Sequence, residues 1–240
     1  MDPAFLTDEH KSSTRLQVAQ SLSRYEKEGG IFFFFSDSIV TTDETWVHDF
    51  TPESKRSSMQ WRHAGSPNAK KAKTTFYAGK VMATIFWDSK GVLYMDFLTE
   101  RRTINAEYYS ALFEGPVKIA MRNKRKRVQT SVSFLQDNAR PHMAARTMDS
   151  IQKLKWNVLQ HPPYSPELAP SDYHLLGPLK EHLGGKMFRN NDVIQDVQEW
   201  LHWQPKDFFL SDIRKLPDRW RKCIQTREIM LKSNNFSFEE

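Results

Sequence analysis

The sequence holds one cysteine, Cys223, in 240 residues, which excludes an intramolecular disulfide framework and fits a reducing compartment. Long hydrophobic runs are also missing. The longest apolar stretch, Val81 to Trp87, is interrupted by Thr84 and falls far short of a membrane span, and no basic segment followed by an apolar one opens the chain. There is no internal repeat. These absences predict a soluble, intracellular protein without a membrane partner. The opening MDPAFLT carries no readable pattern and does not enter the fold reading.

What is present suffices for a packed core: 39% of residues are hydrophobic and 12% aromatic, enough for one large domain or two small ones and too apolar for a disordered chain. The net charge is +6, and the positive residues are unevenly placed. Lys55, Arg56, Arg62, Lys70, Lys71, Lys73 and Lys80 follow one another with no acid between them, and Lys118, Arg122, Lys124, Arg125, Lys126 and Arg127 form a second cluster. Such clusters release counterions from a polyanion, so nucleic acid is the first partner to consider, with Lys70, Lys71, Lys73, Arg122, Lys124, Arg125, Lys126 and Arg127 as candidate contacts. The run NKRKR also reads as a nuclear-import signal or as a solvated loop.

Thr7 to Glu28 is polar with apolar Leu16, Val18, Ala19 and Leu22, which predicts a short helix serving as an arm or linker over residues 1–30, ahead of a main domain at 31–240. IFFFFSDSIVTTDETWVHDF reads as extended structure leading to Asp43, and QWRHAGSPNAKKAK as a long exposed loop. KVMATIFWDSKGVLYMDFL predicts a hairpin of central strands turning at Asp88–Gly91. Asn105 is placed to cap a helix that Gly115 and Pro116 must break or kink. Residues 131–160 read as a β-α-β unit, with Ala144, Met148 and Ile151 on the buried helix face. Prolines then keep the chain non-helical until Ser171, a good N-cap with Asp172 in the first turn. Val193, Val197, Trp200 and Leu201 mark another amphipathic helix, and a last one is expected from Pro217, burying Trp220 and Ile224. A hairpin, then a crossover unit, then helices make an α/β domain with a mixed central sheet flanked by helices.

Three acids stand at comparable places: Asp43 on the first strand, Asp137 where the strand SVSFLQ ends, and Asp172 at a helix start. Phosphodiester chemistry uses two hard divalent cations held by oxygen ligands, and three carboxylates from separate elements can supply them. Each acid also has a structural reading, as a surface acid, an Asx turn and a favourable charge at a helix N-terminus respectively. A carboxylate ending a buried strand needs a metal ion or a local hydrogen-bond network as partner.

Four ordered motifs, TTDETWVHDF, INAEYYSALF, SFLQDNARPH and PPYSPELAPSDYHLLGPLKEHLGGKMF, resemble the catalytic domain of mariner-type transposases. The 34 residues between Asp137 and Asp172 (172 − 137 − 1) match the spacing by which the mariner branch is known. The resemblance runs from about Leu6 to Cys223. It implies a ribonuclease H-like fold, a metal-binding catalytic triad of Asp43, Asp137 and Asp172, and two Mg²⁺ or Mn²⁺ ions. It further implies cleavage of DNA at transposon ends, joining of the 3′ hydroxyl to target DNA at TA dinucleotides, action in the nucleus, and a homodimer in which the basic loop from about 49 to 73 acts as a clamp on the partner subunit. The family carries paired helix-turn-helix domains that the 42 residues ahead of Asp43 cannot hold, so a catalytic fragment or a derivative without terminal-repeat recognition is expected. Thr42 stands where the family usually has Gly, and the FFFF run and the residues after Cys223 also depart from its pattern. Two other readings stand beside a transposase: a domesticated, non-catalytic DNA-binding or dimerisation module, and a ribonuclease H acting on RNA–DNA hybrids. Glu167 is the rival to Asp172 as third acid. It lies between Pro166 and Pro170, on a stretch expected to be extended and solvated, with no helix to aim it.

Overall fold

A computed structural model describes residues 7–27, 32–52, 79–99, 102–125, 132–189 and 192–225. Among them a five-stranded mixed sheet runs in the order β3-β2-β1-β4-β5, built from β1 (Ile39–His48), β2 (Lys80–Asp88), β3 (Gly91–Leu98), β4 (Ser133–Leu135) and β5 (Asn157–Leu159). β1 pairs antiparallel with β2 and β2 with β3, while β4 lies parallel to β1 and β5 parallel to β4. The expected hairpin and β-α-β unit are therefore both present. β3 is an edge strand, however, not a central one, because β1 takes the place on the other side of β2. The hairpin turns through Ser89 and Lys90; Asp88 accepts from the Lys90 N–H at 2.8 Å, and Gly91 takes φ +120°, a value side-chain-bearing residues rarely adopt.

Alternation along β1 sorts the core into two halves. Ile39 and Val47 face one side with Ile85, Trp87 and the buried faces of α7 (Leu176–Leu183), α8 (Asp192–Trp203) and α9 (Lys206–Gln225). Val40 faces the other with Phe86, Phe134 and the helices α3 (Ala106–Leu112), α4 (Lys118–Lys124), α5 (Arg140–Met143) and α6 (Ala145–Lys153). Phe86, Tyr109, Phe113, Phe134 and Trp156 form a continuous aromatic cluster there, with ring centroids 5.2 to 6.5 Å apart. The helix expected over Thr7–Glu28 forms as α1 (Asp8–Lys27); Val18 and Tyr25 are buried against the first half, and α1 packs on α9. None of the described helices is long and apolar enough to cross a membrane.

Four local readings are corrected by the packing. The FFFF run begins a helix, α2 (Phe32–Ser38), and the strand starts only at Ile39. An unbroken aromatic run has no period to separate helix from strand, and here Phe35 is drawn edge-on to Tyr25 at 5.3 Å and Trp220 at 6.2 Å. The last helix begins at Lys206, with Pro217 inside it, because Phe209, Ile213, Leu216, Trp220 and Cys223 bury a face long enough to outweigh one missing N–H. In α6 Ile151 is buried and Met148 packs against the same core as expected, but Thr147 and Ser150 complete the buried face and Ala144 is the N-cap. Asn105 caps α3 as expected, accepting from the Tyr108 N–H at 2.8 Å, and the kink at Gly115–Pro116 takes the form of a π turn over Phe113–Val117 that leads straight into α4. Of the basic loop expected at about 49–73, residues 53–73 lie outside the described residues; ahead of them the Asp49 N–H donates to the Gly79 carbonyl at 2.9 Å, and Phe50 and Thr51 bridge to Met187 and Gly184.

The fourth correction concerns Ser171. Pro170 is already helical and takes the N-cap position, so Ser171 lies inside a π turn (Ser171–Leu175) and not at its cap. Its hydroxyl instead accepts from the indole N–H of fully buried Trp87 at 3.0 Å, tying β2 to the turn that carries Asp172. Replacing Ser171 by Ala leaves that indole unsatisfied and is expected to cost about 1–3 kcal/mol in urea unfolding. In a Trp87→Phe background the same change should cost far less, whereas an N-cap role would give equal losses in both backgrounds.

Candidate active site

Asp43 lies in the middle of β1 and accepts from the Glu44 N–H at 2.8 Å. Burial pushes its carboxyl up to about 8, and the charges of Asp172, Glu44 and Asp137 push the same way. Asp172, in the π turn after Pro170, is also raised, by burial and then by Asp137, although Lys180 and a hydrogen bond with Asp43 pull against this. Asp43 and Asp172 therefore both resist ionisation, as neighbouring buried carboxyls do when no cation is between them. The third acid, Asp137, follows β4 by two residues, and β4 lies beside β1 in parallel register. The fold thus brings together in one electrostatic cluster the three acids singled out from the sequence.

Asp137 itself is half-exposed, not buried at a strand tip, and the local network weighed for it is present. Its Oδ1 accepts from the Ala139 N–H at 3.0 Å in an Asx turn and from His142 Nδ1. Burial alone would raise this carboxyl, but the His142 and Ala139 bonds outweigh it and hold it below the usual carboxylate range. His142 responds in the opposite sense: burial lowers it, while its bonds to Asp137 and to Glu44 Oε2, the latter at 3.2 Å, raise it to about 9. The imidazole stacks on Tyr109 with centroids 4.2 Å apart. Asn138 donates to the His161 carbonyl at 2.6 Å, and burial drives the His161 imidazole down to about 4, so it stays neutral near Asp137. His142, Glu44, Tyr109 and His161 were not among the expected site residues. Only the position of His142, five residues after Asp137, hinted at its part.

Glu167 is not solvated as expected. It sits in a 3-10 turn (Pro166–Leu168), and its Oε1 is buried without a hydrogen-bond partner. Burial pushes its carboxyl up to about 7, with Arg219 pulling it down and Asp172 adding to the rise. A rigid backbone therefore aims Glu167 as well, and the flexibility that counted against it is absent.

Of the candidate DNA contacts, Lys70, Lys71, Lys73, Lys126 and Arg127 lie outside the described residues. Arg122 is exposed near the end of α4. Two others hold the fold together: Lys124 Nζ donates to the Leu93 carbonyl at 2.9 Å and to that of Val92 at 3.3 Å, and Arg125 grips the buried Asp88 through Nε at 2.5 Å and Nη2 at 2.8 Å. Arg125→Ala would leave Asp88 buried without its cation, a loss of about 3 kcal/mol measurable by denaturant unfolding.

All three acids offer hard oxygen donors, which suit Mg²⁺ or Mn²⁺. Among the described residues no three His, Cys, Asp or Glu side chains are arranged to hold a single ion; Asp43 and Asp172 stand as two raised carboxyls that feel the charge of Asp137. A cation would relieve the repulsion that raises these carboxyls, so the donor set fits the ions.

Protonated Asp43 favours the folded state. Its contribution is full below the ordinary value of 3.8 and is lost as pH rises through about 8; that of Glu167 is lost as pH rises from 4.5 through about 7. The metal-free protein should therefore lose stability across this range. Asp43→Asn should flatten the decline up to pH 8, and Glu167→Gln only the part ending near pH 7, as read by thermal unfolding in chelator at a series of pH values.

Residues 51–131 match the family described as Transposase (partial DDE domain). Over 208 residues, 85% of this chain, the sequence is 35% identical to the Mariner Mos1 transposase of Drosophila mauritiana, covering 57% of that protein. Over 224 residues, 90% of this chain, it is 34% identical to the histone-lysine N-methyltransferase SETMAR of Homo sapiens, covering 31% of it. The chain thus spans little more than half of the first and under a third of the second. The crystal structure of the Mos1 mariner paired end complex with Mn matches with a TM-score of 0.82 at 32% identity, over 91% of this chain and 62% of that one. The catalytic domain of Mos1 mariner transposase matches with a TM-score of 0.72 at 30% identity, over 91% of this chain and 94% of that one. The mixed sheet with its flanking helices is therefore a ribonuclease H-like fold, and the chain belongs to the mariner transposases, where it corresponds to their catalytic domain.

Proposed function

We propose that this chain cleaves DNA phosphodiesters at transposon ends and transfers the freed 3′ hydroxyl into target DNA, with Asp43, Asp137 and Asp172 as catalytic, metal-binding residues. The observation that carries the reading is the convergence of Asp43, Asp172 and Asp137, from three separate elements, in one electrostatic cluster where burial and mutual charge raise the Asp43 and Asp172 carboxyls. Two divalent ions held by these acids would activate the attacking oxygen and stabilise the leaving one. The residues themselves do the positioning. Asp43 is fixed by the central strand, Asp172 by a turn anchored to Trp87, and Asp137 by its Asx turn and His142. The solved Mos1 paired end and strand transfer complexes support DNA as partner. Nuclear action, a homodimer and a clamp role for residues 49–73 belong to the same reading, with Arg122, Lys126, Arg127, Lys70, Lys71 and Lys73 as phosphate contacts, while Lys124 and Arg125 serve the fold. The likeness to SETMAR favours, as second reading, a domesticated DNA-binding module that no longer cleaves.

Asp172→Asn should abolish Mn²⁺-dependent nicking of duplex DNA and weaken Mn²⁺ binding while DNA binding is largely kept; Glu167→Gln should retain most activity. A nicking assay with titration calorimetry on both variants decides between the acids, and the reverse pattern would move the third ligand to Glu167. A wild-type chain that binds DNA without nicking it in Mg²⁺ or Mn²⁺ would favour the non-cleaving module.

A further inference from the structure

Adjacent residues on a strand point to opposite faces, so Asp43 and Glu44 look away from each other across the sheet. Asp43 faces the side of Asp172; Glu44 faces the side of Tyr109 and His142. Asp137, just beyond the end of β4, is within reach of both. His142 uses both ring nitrogens there: Nδ1 binds Asp137 Oδ1, and Nε2 lies 3.2 Å from Glu44 Oε2. The ring is buried, with 2% of its surface exposed, and cannot turn freely. Tyr109 stacks on it, the Tyr109 hydroxyl donates to Gln136 Oε1 at 3.1 Å, and Gln136 Nε2 donates to the His142 carbonyl at 3.2 Å. A half-exposed aspartate is thus restrained by a buried, doubly anchored imidazole.

We propose that His142 is a positioning residue for Asp137, holding one carboxylate oxygen from the far side of the sheet so that the other is presented to a divalent cation, with Glu44 and Tyr109 fixing the ring. This rests on the reading of Asp137 as a metal ligand. Glu44 has a second role in the same arrangement: it gives the imidazole a partner on the side away from the cation, so the ring has no reason to rotate off Asp137. Its remaining oxygen, Oε1, is buried without a hydrogen-bond partner, so the imidazole is its one anchor among the described contacts.

Asparagine and glutamine separate the two ring contacts, since an Asn amide nitrogen occupies the place of Nδ1 and a Gln amide nitrogen that of Nε2. In Mn²⁺ titrations followed by electron paramagnetic resonance, His142→Asn should stay within about threefold of wild type and His142→Gln should weaken by about tenfold or more. Raising Mn²⁺ should restore part of the nicking lost in His142→Gln at limiting Mn²⁺, a recovery that a general loss of folding would not allow. In the metal-free protein a downfield imidazole Nδ1–H proton resonance should be present in wild type and vanish in Asp137→Asn. Wild-type Mn²⁺ affinity in His142→Gln, equal losses in the two His142 variants, or no downfield proton would overturn the proposal. Failure of every form to nick DNA would count against the nuclease reading instead, since the metal titrations and the proton resonance judge His142 independently of cleavage.

Discussion

Mutual repulsion of carboxylates is the constraint around which this domain is arranged. Asp43, Asp137 and Asp172 come from three separate elements, and burial together with their neighbours' charge makes full ionisation of Asp43 and Asp172 unfavourable. Left to themselves such side chains would separate into water. They stay together because each is held by a part of the fold that does not depend on the others: a central strand paired on both edges, an Asx turn backed by an imidazole, and a π turn bonded to a buried indole. In the absence of a cation the tension shows in carboxyls that hold their protons above the ordinary range.

The two halves of the core divide this work. On one face, Trp87 reaches from β2 to Ser171, while His174 Nδ1 and Lys215 hold the buried Asp212 of α9 at 2.8 and 2.9 Å, so the Asp172 turn is tied to both sheet and helix. On the other, the aromatic cluster around Phe86 and Tyr109 supports His142 and, through it, Asp137. Large rigid rings suit this purpose, because they bury much area with few rotatable bonds. Both π turns also have positional meaning: one passes the Gly115–Pro116 pair without breaking the helical path, and the other widens the backbone where Asp172 sits.

Basic residues separate into two uses that composition cannot distinguish. Arg125 and Lys124 belong to the run that reads as a nucleic-acid contact, yet one neutralises buried Asp88 and the other covers carbonyls of the edge strand β3. A lysine over an edge strand also blunts its capacity to pair with another chain. Local charge density is visible in a sequence; whether a given cation faces solvent or a buried acid depends on which distant residue folds against it.

The sequence by itself determined the hairpin, the β-α-β crossover, the Asn105 cap, the amphipathic α8 and the three acids with their spacing, because these rest on short-range periodicity, turn chemistry and ordered motifs. Tertiary structure decided the rest, for physical reasons that act over long separations. α2 is helical because Phe35 packs on Tyr25 and Trp220, and α9 runs through Pro217 because its buried face outweighs one lost hydrogen bond. Ser171 serves Trp87, 84 positions away, and not its own helix. Glu167 is buried by a turn that its flanking prolines make rigid, where their presence alone suggested an extended, solvated chain. Above all, the bond from His142 to Glu44 joins residues almost a hundred positions apart across a sheet. No local pattern encodes that contact, since it exists only once β1 and β4 lie side by side.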